Sequence, residues 1–170
     1  MARVSKKENK NLYQTTREGM DLSREKASEL LETISEDRIE KIENERCLPH
    51  PDEVLTMADK YNTPDLCNYY CSNQCPIGEV YVPQVTIKDL PNIILEMVAS
   101  LNSVDHKTER LIEIAADGAI EDAELQDFVK IQEELERISV TIETLQLWSE
   151  KMKATGVIDM EKYDKYKKQS

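Results

Sequence analysis

Residues 22–51 constrain the fold of this 170-residue chain more than any other part of its sequence. They predict two short amphipathic helices joined by a tight turn, and then a proline-marked loop into a third helix. Each of the two helices follows a serine, Ser23 or Ser35, whose hydroxyl can accept a hydrogen bond from an exposed amide of the first turn. The apolar positions recur at helical spacing. They are Leu22, Ala27, Leu30 and Leu31 in the first helix, and Ile34, Ile39 and Ile42 in the second.

Two further segments with helical periodicity flank this stretch. Residues 12–20 predict a short amphipathic helix upstream, and residues 52–61 predict another downstream. The downstream segment places Val54, Leu55, Met57 and Ala58 on one face. The N-terminal part of the chain is therefore predicted to be a small bundle of short helices. Few glycines and abundant Glu, Lys and Leu favour an all-α fold for the whole protein.

This order of segments resembles the Cro and lambda-repressor-type helix-turn-helix domain over about residues 10–66. The matching positions are Leu22, Ser23, Arg24, Glu25, Leu31, Ile34, Ser35, Ile39, Ile42, Glu43, Arg46, Pro49 and residues 54–58. The resemblance implies a lambda-repressor-like fold and a sequence-specific transcriptional regulator without catalytic activity, bound to double-stranded DNA. In this family the third helix of the domain enters the major groove and the second crosses the phosphate backbone.

Carried onto this chain, the resemblance implies a defined set of DNA contacts. Arg24 and Arg38 are expected on phosphates, while Lys41 and Asn44 are expected near the base edges. The full set of implied contact residues is Ser23, Arg24, Ser35, Arg38, Lys41, Asn44 and Arg46.

The sequence departs from the family pattern in two respects. The family usually places glycine in the turn between helices two and three, and again after the Ile-Glu pair. Here those regions contain Glu32-Thr33, with one residue more, and Asn44-Glu45, so that a positive φ falls on Asn44 or on a reshaped turn. The predicted reading helix is also acidic, with Glu36, Asp37, Glu40, Glu43 and Glu45. Because carboxylates repel phosphates, the alternative is a helix-turn-helix-derived protein-interaction module that has lost DNA binding.

Charge limits where DNA can bind. The chain has 22 basic and 34 acidic residues, a net charge of −12, and neither half is basic. A DNA-binding face must therefore be a local positive surface built from few side chains. The candidates are Arg3, Lys6, Lys7, Lys10, Arg17, Arg24, Arg38, Lys41 and Arg46; the alternative is that they are ordinary solvated charges.

Several other functional classes lack a signal in this sequence. No apolar run approaches the length of a membrane span, and the first residues lack the hydrophobic core of a secretory signal, so we expect a cytoplasmic protein. The two histidines, His50 and His106, lie far apart and near no nucleophile pattern, and there is no glycine-rich phosphate loop. We therefore expect no enzymatic activity.

Three of the four cysteines fall within nine residues. Cys67, Cys71 and Cys75 are spaced four apart, which brings them near one face of a continuous helix. Three interpretations stay open for this cluster. The thiols pack as small apolar groups, they hold a metal ion with Cys47 as a fourth ligand, or two of them form a redox-active pair. The spacing differs from the common zinc and ferredoxin patterns.

The second half predicts a separate helical unit. Residues 79–89 suggest an extended linker or a short strand interrupted by Pro83. Beyond it, residues 90–116 and about 122–153 predict a long helical hairpin, so the domains are expected at 1–78 and 90–170. In the second helix, apolar residues recur at four-three spacing from Ile131 to Met152, with Phe128 and Trp148 widening the face. This surface predicts a homodimer interface or a site for a protein partner, or else part of the chain's own core.

Overall fold

The computed structural model describes residues 9–105, 107–116 and 118–169, and within these ranges the protein is helical, without strands. The helices are α1 (Leu12–Gly19), α2 (Arg24–Leu31), α3 (Glu36–Glu43), α4 (Pro51–Lys60), α5 (Asp65–Asn73), α6 (Gly78–Tyr81), α7 (Leu90–Asp105), α8 (Thr108–Ala115), α9 (Leu125–Ala154) and α10 (Met160–Lys167). The predicted all-α class is therefore confirmed. Arg3, Lys6, Lys7 and His106 lie outside the described residues.

The chain divides into two compact units. The first contains Met1–Gln84 together with Ser149–Ser170, and the second contains Val85–Trp148. This division assigns Ser149–Ser170, which the prediction placed in the second domain, to the first unit. No helix among the described residues is long and apolar enough to cross a membrane.

The core of the first unit gathers one face from each of its first five helices. Its buried apolar residues are Tyr13, Ala27, Leu31, Ile34, Ile39, Ile42, Val54, Met57, Ala58, Tyr61 and Leu66. Those predicted from the periodicity of residues 22–61 lie in or against this core, with one exception. Leu55 was expected on the apolar face of α4, but it is 63% exposed, since only Val54, Met57 and Ala58 face inward.

Four helices of this unit, α1 to α4, are followed by a non-glycine residue with a positive φ. After α3, Glu45 has φ +57, its amide donates to Ile42 O, and the Arg46 amide donates to Lys41 O. Such a left-handed residue closes a helix by satisfying its last carbonyls. Asp21 and Asn62 follow α1 and α4 in the same way. Asn44, one of the two places predicted for the positive φ, instead has φ −91, because it is the residue before the left-handed position.

The junction after α5 differs from the predicted linker. Residues 78–81 form the short helix α6 rather than part of a strand or extended connector, and residues 83–89 have no regular structure. A Cβ atom added at Gly78 would lie 2.0 Å from the carbonyl oxygen of Cys71. Gly78 is therefore required by the close approach of α6 to α5, and not only as a flexible residue that ends a helix.

The second unit is built from α7, α8 and most of α9. The predicted helix over residues 90–116 is divided, since α7 ends at Asp105 and α8 begins at Thr108. Ile93, Ile114 and Ile131 are buried, one on each helix. Salt bridges join these helices as well, from Lys107 to Glu134 at 3.0 Å and from Arg110 to Asp127 at 3.0 Å.

The buried face of α9 differs from the predicted apolar seam. Glu134, Thr141 and Thr144 are buried, whereas Leu135 and Ile142, both assigned to the seam, are exposed. The threonine hydroxyls donate to the carbonyls of Arg137 and Val140, one turn earlier, and this local bond lets polar residues occupy the packed side. The four-three pattern therefore coincides only in part with the buried face of this helix, which includes Ile131.

Helix α10 was not predicted. Asp159 caps it by accepting from the Lys162 amide at 3.2 Å. The ammonium of Lys153, near the end of α9, lies 4.4 Å from the centre of the Tyr163 ring. A second tie within the first unit is the ion pair between Lys151 and Asp65 at 3.2 Å.

Candidate nucleic-acid interface

Helices α2 and α3 form a helix–turn–helix whose two N-termini are capped as the sequence predicts. The Ser23 hydroxyl accepts from the Lys26 amide at 3.2 Å, and the Ser35 hydroxyl accepts from the Arg38 amide at 3.3 Å. Each cap satisfies one amide that has no partner within its helix. Each serine side chain therefore caps its own helix.

The turn between these helices is tight and strained. Glu32 has φ +59 and ψ −45, and the amide of Thr33 donates to the carbonyl of Leu31 at 2.6 Å, which defines a γ-turn. The buried side chains of Leu31 and Ile34 hold both sides of this turn in the core. The angle between α2 and α3 is therefore fixed by packing rather than by a glycine in the turn.

A buried ion cluster joins three elements of the bundle. The Glu43 side chain, 1% exposed, accepts from Arg17 Nε at 2.5 Å and from Arg17 Nη2 at 2.9 Å. Its Oε2 also accepts from Arg24 Nε at 2.8 Å. Burial acts to lower the pKa of Arg17, but the hydrogen bond and charge of Glu43 raise it further. The cluster therefore ties α1 and the start of α2 to the end of α3.

This cluster changes the expected roles of three residues. Glu43 was counted among the carboxylates that repel phosphate, yet it is buried and neutralised, so it adds no negative charge to the exposed side of α3. Arg17 was a candidate for a positive surface, and it is buried against Glu43 instead. Arg24 was expected to contact a phosphate. Its partly exposed side chain instead forms an ion pair with the Glu43 carboxylate.

Arg38 occupies a second structural position. Its Nε and Nη2 donate to the two carboxylate oxygens of Glu53, at 2.8 and 2.7 Å, and Nη1 lies 2.9 Å from the Cys47 sulfur. Glu53 also accepts a hydrogen bond from the backbone amide of His50, the N-cap residue of α4. The hydrogen bond from Arg38 holds the pKa of Glu53 below its ordinary range. The pair therefore fixes the start of α4 to α3.

The exposed side of α3 carries both signs of charge. Lys41 is paired with Asp37 at 2.6 Å, and Arg46 lies 3.7 Å from Glu40. The side-chain amide of Asn44 also donates to the carboxylate of Glu40, at 3.4 Å. These pairs are solvent-exposed, and such pairs contribute little free energy, about 0–1 kcal/mol each. Lys41 and Arg46 can therefore leave these carboxylates and bind another anion at a small cost in free energy.

Lys26 was missed among the basic candidates. It is exposed in the first turn of α2. Among the described residues of the first unit up to position 84, it is the one basic side chain outside an ion pair with a described carboxylate. The sequence signal that could have identified it is its position in the first turn of α2. Helix N-termini bind anions such as phosphate, and a lysine beside one can contact the same anion.

All four cysteines are free thiols; Cys67, Cys71 and Cys75 lie along and just after α5, and Cys47 lies between α3 and α4. Cys67 and Cys47 pack against the core, and burial raises the pKa of the Cys67 and Cys71 thiols. Among the described residues, which include all four cysteines, no group of three metal-ligating side chains converges. The geometry therefore fits the packing interpretation of the cluster, and protonated thiols are poor nucleophiles for redox exchange.

Comparison with known proteins adds no relative. No family model matches the chain, and no curated protein and no solved structure matches it at a significant level.

Proposed function

We propose that this protein is a sequence-specific DNA-binding regulator that uses α3 as its reading helix and performs no catalysis. The observation that carries the proposal is the capped α2–turn–α3 unit, with the outer side of α3 left unpacked. On that side Lys41 and Asn44 are one turn apart. A helix presented in this way suits the major groove, which admits an α-helix and lets its outward side chains reach base edges.

The proposed contacts divide into two groups. Lys26, Lys41 and Arg46 are exposed cations at the outer surface, and we assign them to phosphates and bases. Arg24 and Arg38 are positioning residues, because Glu43 and Glu53 hold their guanidinium groups. With three exposed cations per copy, the logarithm of the DNA-binding constant should fall only gently with the logarithm of the salt concentration. The expected slope is roughly −0.9 per phosphate neutralised.

Selection of bound sequences from a random duplex library, followed by anisotropy titration of the enriched site, tests this function. Lys41→Glu is expected to weaken specific binding by about 1–3 kcal/mol. Lys88→Glu is the matched control, since Lys88 is 47% exposed against 48% for Lys41 and also pairs with one carboxylate. An equal loss in both variants, or no loss in Lys41→Glu, contradicts the assignment of α3.

One observation favours a second candidate function, a protein-interaction module. The outer side of α3 also presents Glu36, Asp37 and Glu40, and its two cations already pair with carboxylates of the same segment. Such a surface suits a basic protein partner. If the library selection enriches no sequence at low salt while Glu36→Gln/Asp37→Asn abolishes binding to a basic protein, this second function replaces the first.

A further inference from the structure

The two-helix layer of α7 and α9 in the second unit has two different sides. On one side lies an open groove of about 740 Å³ whose lining includes Glu96 and Ala99 of α7 and Glu133, Glu136 and Val140 of α9. Its three carboxylates, against the single guanidinium of Arg137, leave this side net acidic. Because residues of both helices line this groove, they identify the side of α7 and the side of α9 that face it.

The other side is apolar and exposed. Successive residues of an α-helix are about 100° apart, so a residue two positions from a groove residue lies on nearly the opposite side of its helix. Five apolar side chains meet this condition and are between 37% and 49% exposed. They are Ile94, Val98 and Leu101 on α7, and Leu135 and Ile142 on α9, which together we name the apolar face.

The apolar face is large enough to require a partner. Its five side chains present on the order of 400 Å² of apolar surface, as large as the largest patches on typical monomers. Leu95, 67% exposed, extends its edge. A two-fold dimer of ordinary size buries about 800 Å² per copy, of which roughly two-thirds is apolar, so the apolar face supplies most of what one dimer needs.

Charge indicates what the partner is. Among the residues whose side chains the structure describes, the exposed polar neighbours of the apolar face at helical spacing are Asn102, Gln132, Ser139 and Gln146, none of which is charged. A chain with a net charge of −12 repels its own copies over most of its surface. At this face two copies can approach without placing carboxylates opposite each other, whereas the groove side opposes acid to acid.

We propose that two copies of this chain associate through the apolar face in a two-fold dimer. Residues of α7 and α9 in one copy pack against the same residues of the other, as a two-fold interface requires. The inference uses the proposed function only in one consequence, that such a dimer would present two reading helices to an operator. Association itself is measured without DNA, so failure of one proposal is distinguishable from failure of the other.

Sedimentation equilibrium of the full chain, from about 1 to 100 μM, tests the dimer. The wild type is expected at twice the chain mass of 19.6 kDa. Val98→Glu should raise the dissociation constant at least about 100-fold, because the carboxylates would be buried at the interface. Val140→Glu is the matched control on the groove side, with the same substitution at a valine of similar exposure, and it should change the constant less than about 3-fold.

Circular dichroism establishes that each variant keeps its helical content. Because Val98 is half exposed, its substitution should leave the fold intact; if it unfolds the chain, Ile142→Gln on the other helix provides the measurement. A monomeric wild type at about 100 μM overturns the proposal. So does dissociation by Val140→Glu with an unchanged dimer in folded Val98→Glu and Ile142→Gln.

Discussion

Glu43, in the last turn of α3, receives two hydrogen bonds from the guanidinium of Arg17 in α1, and it is almost fully withdrawn from solvent. A buried ion pair costs desolvation energy on both sides, so its members depend on each other. Removing one partner leaves an uncompensated charge in the core of the bundle. The relationship therefore makes the first prediction one of stability and not of DNA contact.

Glu43→Ala is expected to lower the free energy of unfolding by roughly 3–5 kcal/mol, because Arg17 would remain buried without its carboxylate. The double variant Arg17→Met/Glu43→Leu should recover most of that loss, since it removes both charges. Urea unfolding followed by circular dichroism measures both. A double variant as unstable as Glu43→Ala would show that the pair acts through something other than its buried charges.

The Arg38–Glu53 pair predicts a pH dependence. Since the hydrogen bond from Arg38 lowers the pKa of Glu53, the folded protein binds this proton less readily than the unfolded chain. The contribution of this pair to the free energy of unfolding is therefore complete above the ordinary pKa of a glutamate. It is lost as the pH falls through the lowered pKa of Glu53 in the folded protein. Urea unfolding between about pH 5 and pH 2 should show a shallower decline in Glu53→Gln than in the wild type. Glu25→Gln, at an exposed position of α2, is the control and should follow the wild type.

Glu45→Gly is expected to stabilise the protein by up to about 1 kcal/mol, because Glu45 occupies the left-handed region at φ +57. The same substitution inside a helix should have the opposite sign. Glu29→Gly, exposed in α2, should cost about 1 kcal/mol. Thermal unfolding of the two variants compares them directly, and destabilisation by Glu45→Gly would contradict the assigned backbone conformation.

Gly78→Ala should destabilise the first unit by about 1–3 kcal/mol or more, since the new methyl group overlaps the Cys71 carbonyl and α6 has to move away from α5. Gly19→Ala is the control. Nothing lies within 4 Å of a Cβ at Gly19, the last residue of α1, so that substitution should be neutral or slightly stabilising. Guanidinium unfolding of both variants checks the prediction, and equal effects would contradict the close approach.

Local sequence alone predicts the short helices of the N-terminal bundle and where two of them begin. Ser23 and Ser35 cap α2 and α3 as predicted, and Ala27, Leu31, Ile34, Ile39 and Ile42 are buried. These features depend on neighbours within a few positions, so periodicity and capping chemistry suffice to find them. The short α6 escaped because four residues are too few for a periodic pattern, and α10, as long as α2 and α3, escaped because it has no buried face.

Only the tertiary structure decided which charges are solvated and which apolar residues are covered. Nothing in the acidic run of α3 distinguishes Glu43 from Glu40, yet one pairs with Arg17 across 26 positions and the other stays at the surface. Likewise, Thr141 is buried while Ile142, its neighbour, is exposed. The physical reason is that ion pairing and burial depend on which side of a helix meets its neighbours. Packing between distant segments sets that orientation, and local spacing limits it only to a choice of faces.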